Sequence, residues 1–295
     1  MNPLQVIILA IVQGLAELLP VSSSAHVIVA EKLMGLDPAK PEMTLLLVML
    51  HTGTMFAVIL YFWQAWKASI FASRELLWQQ FLRLATATLM TLVVGVPLIV
   101  GIEKWAERVG YSAEDSSGRA QKFDIEMLSR NLSISAVAIA SAGVLILVAG
   151  LVERRRAGQR AIDFEDAAWI GFVQGFCLPF RGFSRSGATI STGLLRGVLK
   201  PKVEEFSFAL AVIITPPAIG REAWRLIRAQ HETGHGVVTW GSFAPSLLGM
   251  VCAFVAGLLA LKWLSRWLER GRWHLFGVYC LLAAAAIYAL HCGGY

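Results

Sequence analysis

The chain has 295 residues, of which 56% are hydrophobic and 16% charged, with a formal net charge of +6. Ordinary soluble domains carry about 25% charged residues, so this mixture points to a polytopic membrane protein and excludes intrinsic disorder and a separate soluble catalytic domain. With 26 Gly and 10 Pro it is no low-complexity or collagen-like chain, and its Lys and Arg lie in short loops, as expected for contact with lipid headgroups and not with nucleic acid.

The first apolar region, 3–35, is a run of 14 to 16 residues, a Pro/Ser break and a second short run; the same form returns at 167–199. Runs this short predict half-helices, and a re-entrant hairpin tolerates its broken backbone only where protein buries it or it lines a wet cavity. Six further segments approach the ~20 residues needed to span a bilayer: 43–63, 84–102, 133–152, 206–225, 242–262 and 273–291. The stretches 84–102, 131–152 and 273–295 hold no Asp, Glu, Lys or Arg, whereas Arg221, Glu222 and Arg225 crowd the end of the fourth span. No Lys or Arg precedes Lys32, which argues against a cleaved signal peptide. Cys177, Cys252, Cys280 and Cys292 show no Cys-x-x-Cys spacing and imply neither metal nor disulfide.

The interrupted regions repeat each other. Val12-Gln13-Gly14 recurs as Val173-Gln174-Gly175, and Ser23 recurs as Ser184, both at an offset of 161. Each hairpin is followed by three spans, and an odd number of spans inverts the second half relative to the first. The expected fold is therefore all-α, with six transmembrane helices and two re-entrant helical hairpins in an inverted-topology repeat, its halves near 1–152 and 153–295. Loops 64–83, 153–166, 200–205 and 262–272 hold 13 Lys and Arg; the longer set 36–42, 103–132 and 221–241 holds 9. The first set is assigned to the cytoplasm, which puts both termini and the first hairpin on the outer side.

In the first hairpin the string from Gln13 to His26 places Glu17, three serines and an imidazole in an otherwise apolar stretch. Gln13 and Glu17 share a helix face, as do Ser22 and His26 beyond Pro20, with Ser23 one turn before the histidine. Ionisable residues at membrane depth mark function by default, although serines after a proline also cap helices. In the second hairpin Gly182-Phe183-Ser184-Arg185-Ser186-Gly187-Ala188-Thr189 begins another half-helix, with Arg185 and Thr189 on one face. A helix N-terminus and a planar guanidinium both suit phosphate. Opposed starts would form an anion pocket, although Arg185 and Glu17 could also form a structural ion pair. Glu17 beside phosphate makes sense with Mg²⁺ or another divalent cation between them, with Gln13 supplying a neutral oxygen. His51, inside the first span, is the other histidine expected to line the pocket.

These strings resemble the two signature motifs of the undecaprenyl-diphosphatase family associated with bacitracin resistance, E/Q-G-x-x-E-x-x-P-x-S-S-x-x-H and P-G-x-S-R-S-G-x-T. The likeness extends to His51-Thr52-Gly53-Thr54 and Glu205-Phe206-Ser207-Phe208. It implies a bacterial inner-membrane enzyme that removes the terminal phosphate of undecaprenyl diphosphate, recycling the lipid carrier for peptidoglycan and other cell-wall polymers. The pocket would open to the periplasm and require a divalent cation, Mg²⁺ or Ca²⁺. Glu17, Ser23, His26 and Arg185 then become the catalytic set, Ser22, Ser184, Ser186, Thr189 and His51 the substrate-binding set, and Glu17 with Gln13 the metal set. Arg181 stands where the second motif has Pro, and Gln13 where many members have Glu. The residues leave Ser23, His26 and water open as attacking group, and a homodimer open as assembly. Broken helices in inverted repeats are also a transporter signature, so a transporter or flippase of phosphorylated polyprenyl lipid is the rival.

Overall fold

The computed structural model describes residues 2–37, 41–109, 113–114, 120–121, 125, 128, 131–156, 158–180, 182–233 and 240–293; Arg181 lies outside them. Among the described residues the fold is ten α-helices and one two-stranded ribbon. The first interrupted region is α1 (Pro3–Leu18) and α2 (Ser23–Leu33), followed by α3 (Pro41–Ser69), α4 (Arg74–Val109) and α5 (Leu132–Arg155). The second is α6 (Phe164–Gly175) and α7 (Arg185–Leu195), followed by α8 (Lys200–Thr233), α9 (Trp240–Glu269) and α10 (Trp273–Cys292).

Six of these helices, α3, α4, α5, α8, α9 and α10, are long and apolar enough to cross a membrane. They are longer than the expected spans, because hydropathy marks only the hydrocarbon layer while helical hydrogen bonding continues into the charged ends. Most of the loop expected at 64–83 is thus helix, with α3 and α4 separated by four residues. The loop expected at 103–132 contains strands β1 (Ala113–Glu114) and β2 (Ala120–Gln121), paired antiparallel; a ribbon this short has no period-2 signal.

Side chains that a soluble protein would hide face outward. Leu89 is 61% exposed, Leu259 60% and Leu282 67%, which suits helices that meet lipid. With lipid outside, apolar residues give little drive for helix association, and close backbone approach does that work. A Cβ at Gly14 on α1 would lie 2.6 Å from the Ala256 Cβ and 2.7 Å from the Ala253 carbonyl oxygen on α9. At Gly175 on α6 it would lie 2.6 Å from the Val94 Cβ on α4. The two glycines of the repeated Val-Gln-Gly string therefore do one job, each seating the first limb of an interrupted pair against a long helix of the other half. The principal remaining packings are α3 on α9 and α8, α5 on α10, and α5 on α7.

Local chemistry fixes where the limbs start and end. Asn2 closes a capping box with Gln5 ahead of Pro3 at the start of α1, and Asp163 closes one with Asp166 at the start of α6. The base of the second pair is also tied by charge. Arg160 grips fully buried Asp166 through two bonds of 2.6 and 2.7 Å, and Arg196, the residue after α7, reaches the same carboxylate at 2.6 Å. The Asp166 N–H, with Arg160 beside it, holds the Asp163 carboxyl below its usual range. Removing one partner of a buried charge network costs about 3 to 5 kcal/mol, and both arginines can partly rehydrate here. Asp166→Ala is therefore expected to cost about 3 kcal/mol, read as a lower unfolding midpoint in detergent; a wild-type midpoint would make the knot dispensable.

Candidate active site

The polar site forms where both interrupted pairs break. Glu17 lies in the last turn of α1 and Ser23 opens α2, so the turn at 19–22 sets their approach. Ser22 takes φ +68°, a left-handed conformation unusual for a residue with a side chain. Carbonyls left without helical partners at this buried break are satisfied from the second half of the chain. The Ser186 hydroxyl donates to the Leu19 carbonyl at 3.2 Å, and the Cys280 thiol donates to the Pro20 carbonyl at 3.2 Å.

Glu17 is the hub. Its Oε2 accepts a hydrogen bond from the Ser23 hydroxyl at 2.6 Å and another from Gln13 Nε2 at 3.1 Å. His51 Nε2 stands 3.8 Å from the same oxygen, and Arg185 Nη2 stands 3.8 Å from Oε1. His51 Nδ1 faces the Leu47 carbonyl at 2.8 Å and must donate to it, which turns Nε2 toward the carboxylate. The structure thus brings together Gln13, Glu17, Ser23, His51 and Arg185, from α1, α2, α3 and α7.

Arg185 is the first residue of α7. Its Nη1 donates to the Ser207 carbonyl on α8 at 3.4 Å, so the fork is braced on one side by α8 and on the other by Glu17. The hydroxyls around it are engaged with protein. The buried Ser184 hydroxyl accepts from the Gly187 N–H, capping α7. Ser186 is held by Leu19 as described. The Thr189 hydroxyl donates to the Arg185 carbonyl at 2.8 Å and therefore accepts from Ser207 Oγ at 2.6 Å. These three serve the position of Arg185 in this state.

His26 faces away from Glu17. Its Nδ1 donates to the Ser22 carbonyl at 2.7 Å, so Nε2 carries the lone pair and accepts from the Tyr279 hydroxyl, also at 2.7 Å. The two rings stack with centroids 5.8 Å apart. Two groups had no motif to announce them: Tyr279 and Cys280, adjacent in α10 and 253 and 260 residues from the partners they bond. Ser207 lay in a quoted string, but only the crossing of α7 and α8 shows what its carbonyl and hydroxyl hold.

Among the described residues no group of three or more His, Cys, Asp or Glu could hold a metal. One carboxylate with nearby neutral oxygen donors nevertheless fits a hard cation that takes further oxygens from a phosphate substrate. Gln13 turns its amide nitrogen toward Glu17 here, since a carboxylate accepts.

Six long apolar helices around two interrupted pairs, with a carboxylate, a hydroxyl and a guanidinium converging at the breaks, define a multi-pass membrane protein with an internal polar site. The chain belongs to the bacitracin resistance protein BacA family, whose model matches residues 6–286. It is 52% identical over 292 residues to the protein named undecaprenyl-diphosphatase 2 in Acinetobacter baylyi, covering 98% of each chain. It is 32% identical over 307 residues to an undecaprenyl-diphosphatase of Acidiphilium cryptum, covering 97% of this chain and 96% of the relative. An undecaprenyl-diphosphatase 2 of Burkholderia thailandensis is 32% identical over 283 residues, covering 94% and 92%.

Proposed function

We propose that this chain hydrolyses undecaprenyl diphosphate to undecaprenyl phosphate and inorganic phosphate, returning the lipid carrier to cell-wall synthesis and thereby conferring bacitracin resistance. Family membership supplies the reaction, and the observation that carries the chemistry is the Ser23–Glu17 hydrogen bond of 2.6 Å facing Arg185 across the break. A hydroxyl on a carboxylate is an activated nucleophile, and an arginine beside it stabilises charge developing on a transferring phosphoryl group.

In this mechanism the Ser23 oxygen attacks the terminal phosphorus and its proton passes to Glu17. The bond to the bridging oxygen breaks, and undecaprenyl phosphate leaves. Glu17 hands that proton to the departing phosphate oxygen and is a carboxylate again; water then attacks the phosphoserine, Glu17 takes a proton from the water and returns it to the Ser23 oxygen as phosphate departs. Glu17, with a rotated Gln13 and His51 nearby, would hold a divalent cation, Mg²⁺ or Ca²⁺, which when bound would neutralise charge on the phosphates. His26 is one turn from Ser23 but engaged elsewhere, which supports serine over histidine as the attacking group. Ser22, Ser184, Ser186 and Thr189 fix the loop and helix start that present the diphosphate to Arg185.

The finer architecture belongs to the same reading. The interrupted pairs are re-entrant hairpins, and the halves 1–152 and 153–295 are inverted repeats. Exchange of the halves supports this: α1 packs on α9 as α6 packs on α4, while α3 meets α8 and α5 meets α10. Loop charge supports a pocket open to the periplasm from the bacterial inner membrane. Phosphate release from detergent-solubilised protein tests the function, because hydrolysis needs no compartment and transport does. Release should stop under thorough EDTA treatment and return with Mg²⁺ or Ca²⁺; full activity in EDTA would remove the cation from the mechanism.

Tyr279 enters this reading as a positioning residue that occupies the basic nitrogen of His26. Tyr279→Phe keeps the ring stack but frees Nε2, so diethylpyrocarbonate should modify His26 several-fold faster than in wild type, measured by peptide mapping. An equal rate would show that the hydroxyl does not mask the imidazole.

A further inference from the structure

A second polar cleft opens at the end of the bundle where α3 stops and α4 and α8 start. It is small, about 40 Å³, and partly open to the surface, between Gln80 and Arg83 of α4, Ile162 ahead of α6, and Lys202, Glu205 and Phe206 of α8. Phe206 and Ser207 point to different surroundings, so this cleft and the catalytic break lie on different faces of α8.

Its polar walls are not balanced. Glu205 is satisfied by Lys202 at 3.1 Å and by the Ser69 hydroxyl at 3.1 Å. Arg83 and Gln80, one helical turn apart, are not: Arg83 Nε and Gln80 Oε1 are buried with no hydrogen-bond partner among the described residues. Arg83 has no carboxylate among those residues, and its guanidinium lies over the Phe164 ring, 5.8 Å from its centroid. A buried guanidinium nitrogen without an acceptor is costly, and a missing ligand or water is the ordinary explanation.

The surroundings specify the ligand. The cleft needs an anion for Arg83, with Lys202 adding positive charge, above apolar walls from Ile162, Leu84 and Phe206. Exposed Trp78 and Phe81 stack beside it with centroids 5.4 Å apart, as aromatics do at the membrane–water boundary. We infer that this cleft binds the phosphate of an anionic lipid headgroup, with Arg83 as its principal contact and the acyl chain against the apolar wall. The inference is independent of the phosphatase reading.

Native mass spectrometry and thermal unfolding of the full-length protein in detergent test it, with phosphatidylglycerol, phosphatidylcholine and inorganic phosphate as probes. Wild type should retain phosphatidylglycerol in preference to phosphatidylcholine and be stabilised by it. Arg83→Gln should weaken that retention by about tenfold, the scale of one lost charge-assisted hydrogen bond, with Arg83→Lys intermediate and phosphate release unchanged in both. If Arg83→Gln does not accumulate, Gln80→Ala carries the comparison. Equal retention of the two lipids, or an Arg83→Gln protein that holds phosphatidylglycerol like wild type, overturns the site. Equal protection by inorganic phosphate overturns the lipid assignment.

Discussion

Arg185→Lys is expected to lower kcat by about 10² to 10³ while the protein folds and extracts as wild type. The fork of Arg185 spans two elements, donating from Nη1 to the Ser207 carbonyl while Nη2 stands 3.8 Å from Glu17. Lysine keeps the charge but has a single head, so it can hold α8 or reach the phosphate and cannot do both from the same place. The loss should fall on kcat more than on KM, because the fork is assigned to charge that develops during transfer. A variant within about tenfold of wild type would mean that charge alone suffices.

Glu17→Gln should cost about as much or more, roughly 10² to 10⁴ in rate, the span of a lost general base. The amide retains the size of the side chain and a hydrogen bond to Ser23, but cannot accept its proton. Cation dependence should weaken together with rate. Ser23→Ala separates base from nucleophile: it should lose most activity, and the phosphoryl group trapped on wild type should be acid-stable, as on serine. Near-normal turnover in Ser23→Ala would eliminate serine attack, and an acid-labile adduct would move the reaction to His26.

The long spans and both interruptions were legible because lipid imposes a crude, strong code: about 20 apolar residues per crossing, and a visible cost for any break. The repeated Val-Gln-Gly string was legible as a repeat, but its meaning was not, since a glycine's use depends on the helix it touches. Gln13, Glu17, Ser23, His51 and Arg185 were all singled out and all meet. Their pairing was not legible, because spacing placed Ser23 one turn from His26, whereas a reversal at 19–22 swings Ser23 onto Glu17 and His26 onto Tyr279. Tyr279 had no signal of its own, as one more aromatic in an apolar helix. The charge knot at Asp166 was hidden likewise, since Arg160 was counted as a loop charge and nothing in the spacing tied it or Arg196 to Asp166.

Ser22 carries an implication for how far this protein can be stabilised. A non-glycine residue at φ +68° is strained by about 1 to 3 kcal/mol, and the surrounding fold must supply that energy. Its carbonyl is the group that receives His26 Nδ1, and its position sets where Ser23 begins the next helix. Glycine at this position would relieve the strain and also loosen the turn that aims both side chains. Selection for thermal robustness alone would favour that relief, whereas selection for turnover would retain the serine, so the two pressures oppose each other at one residue.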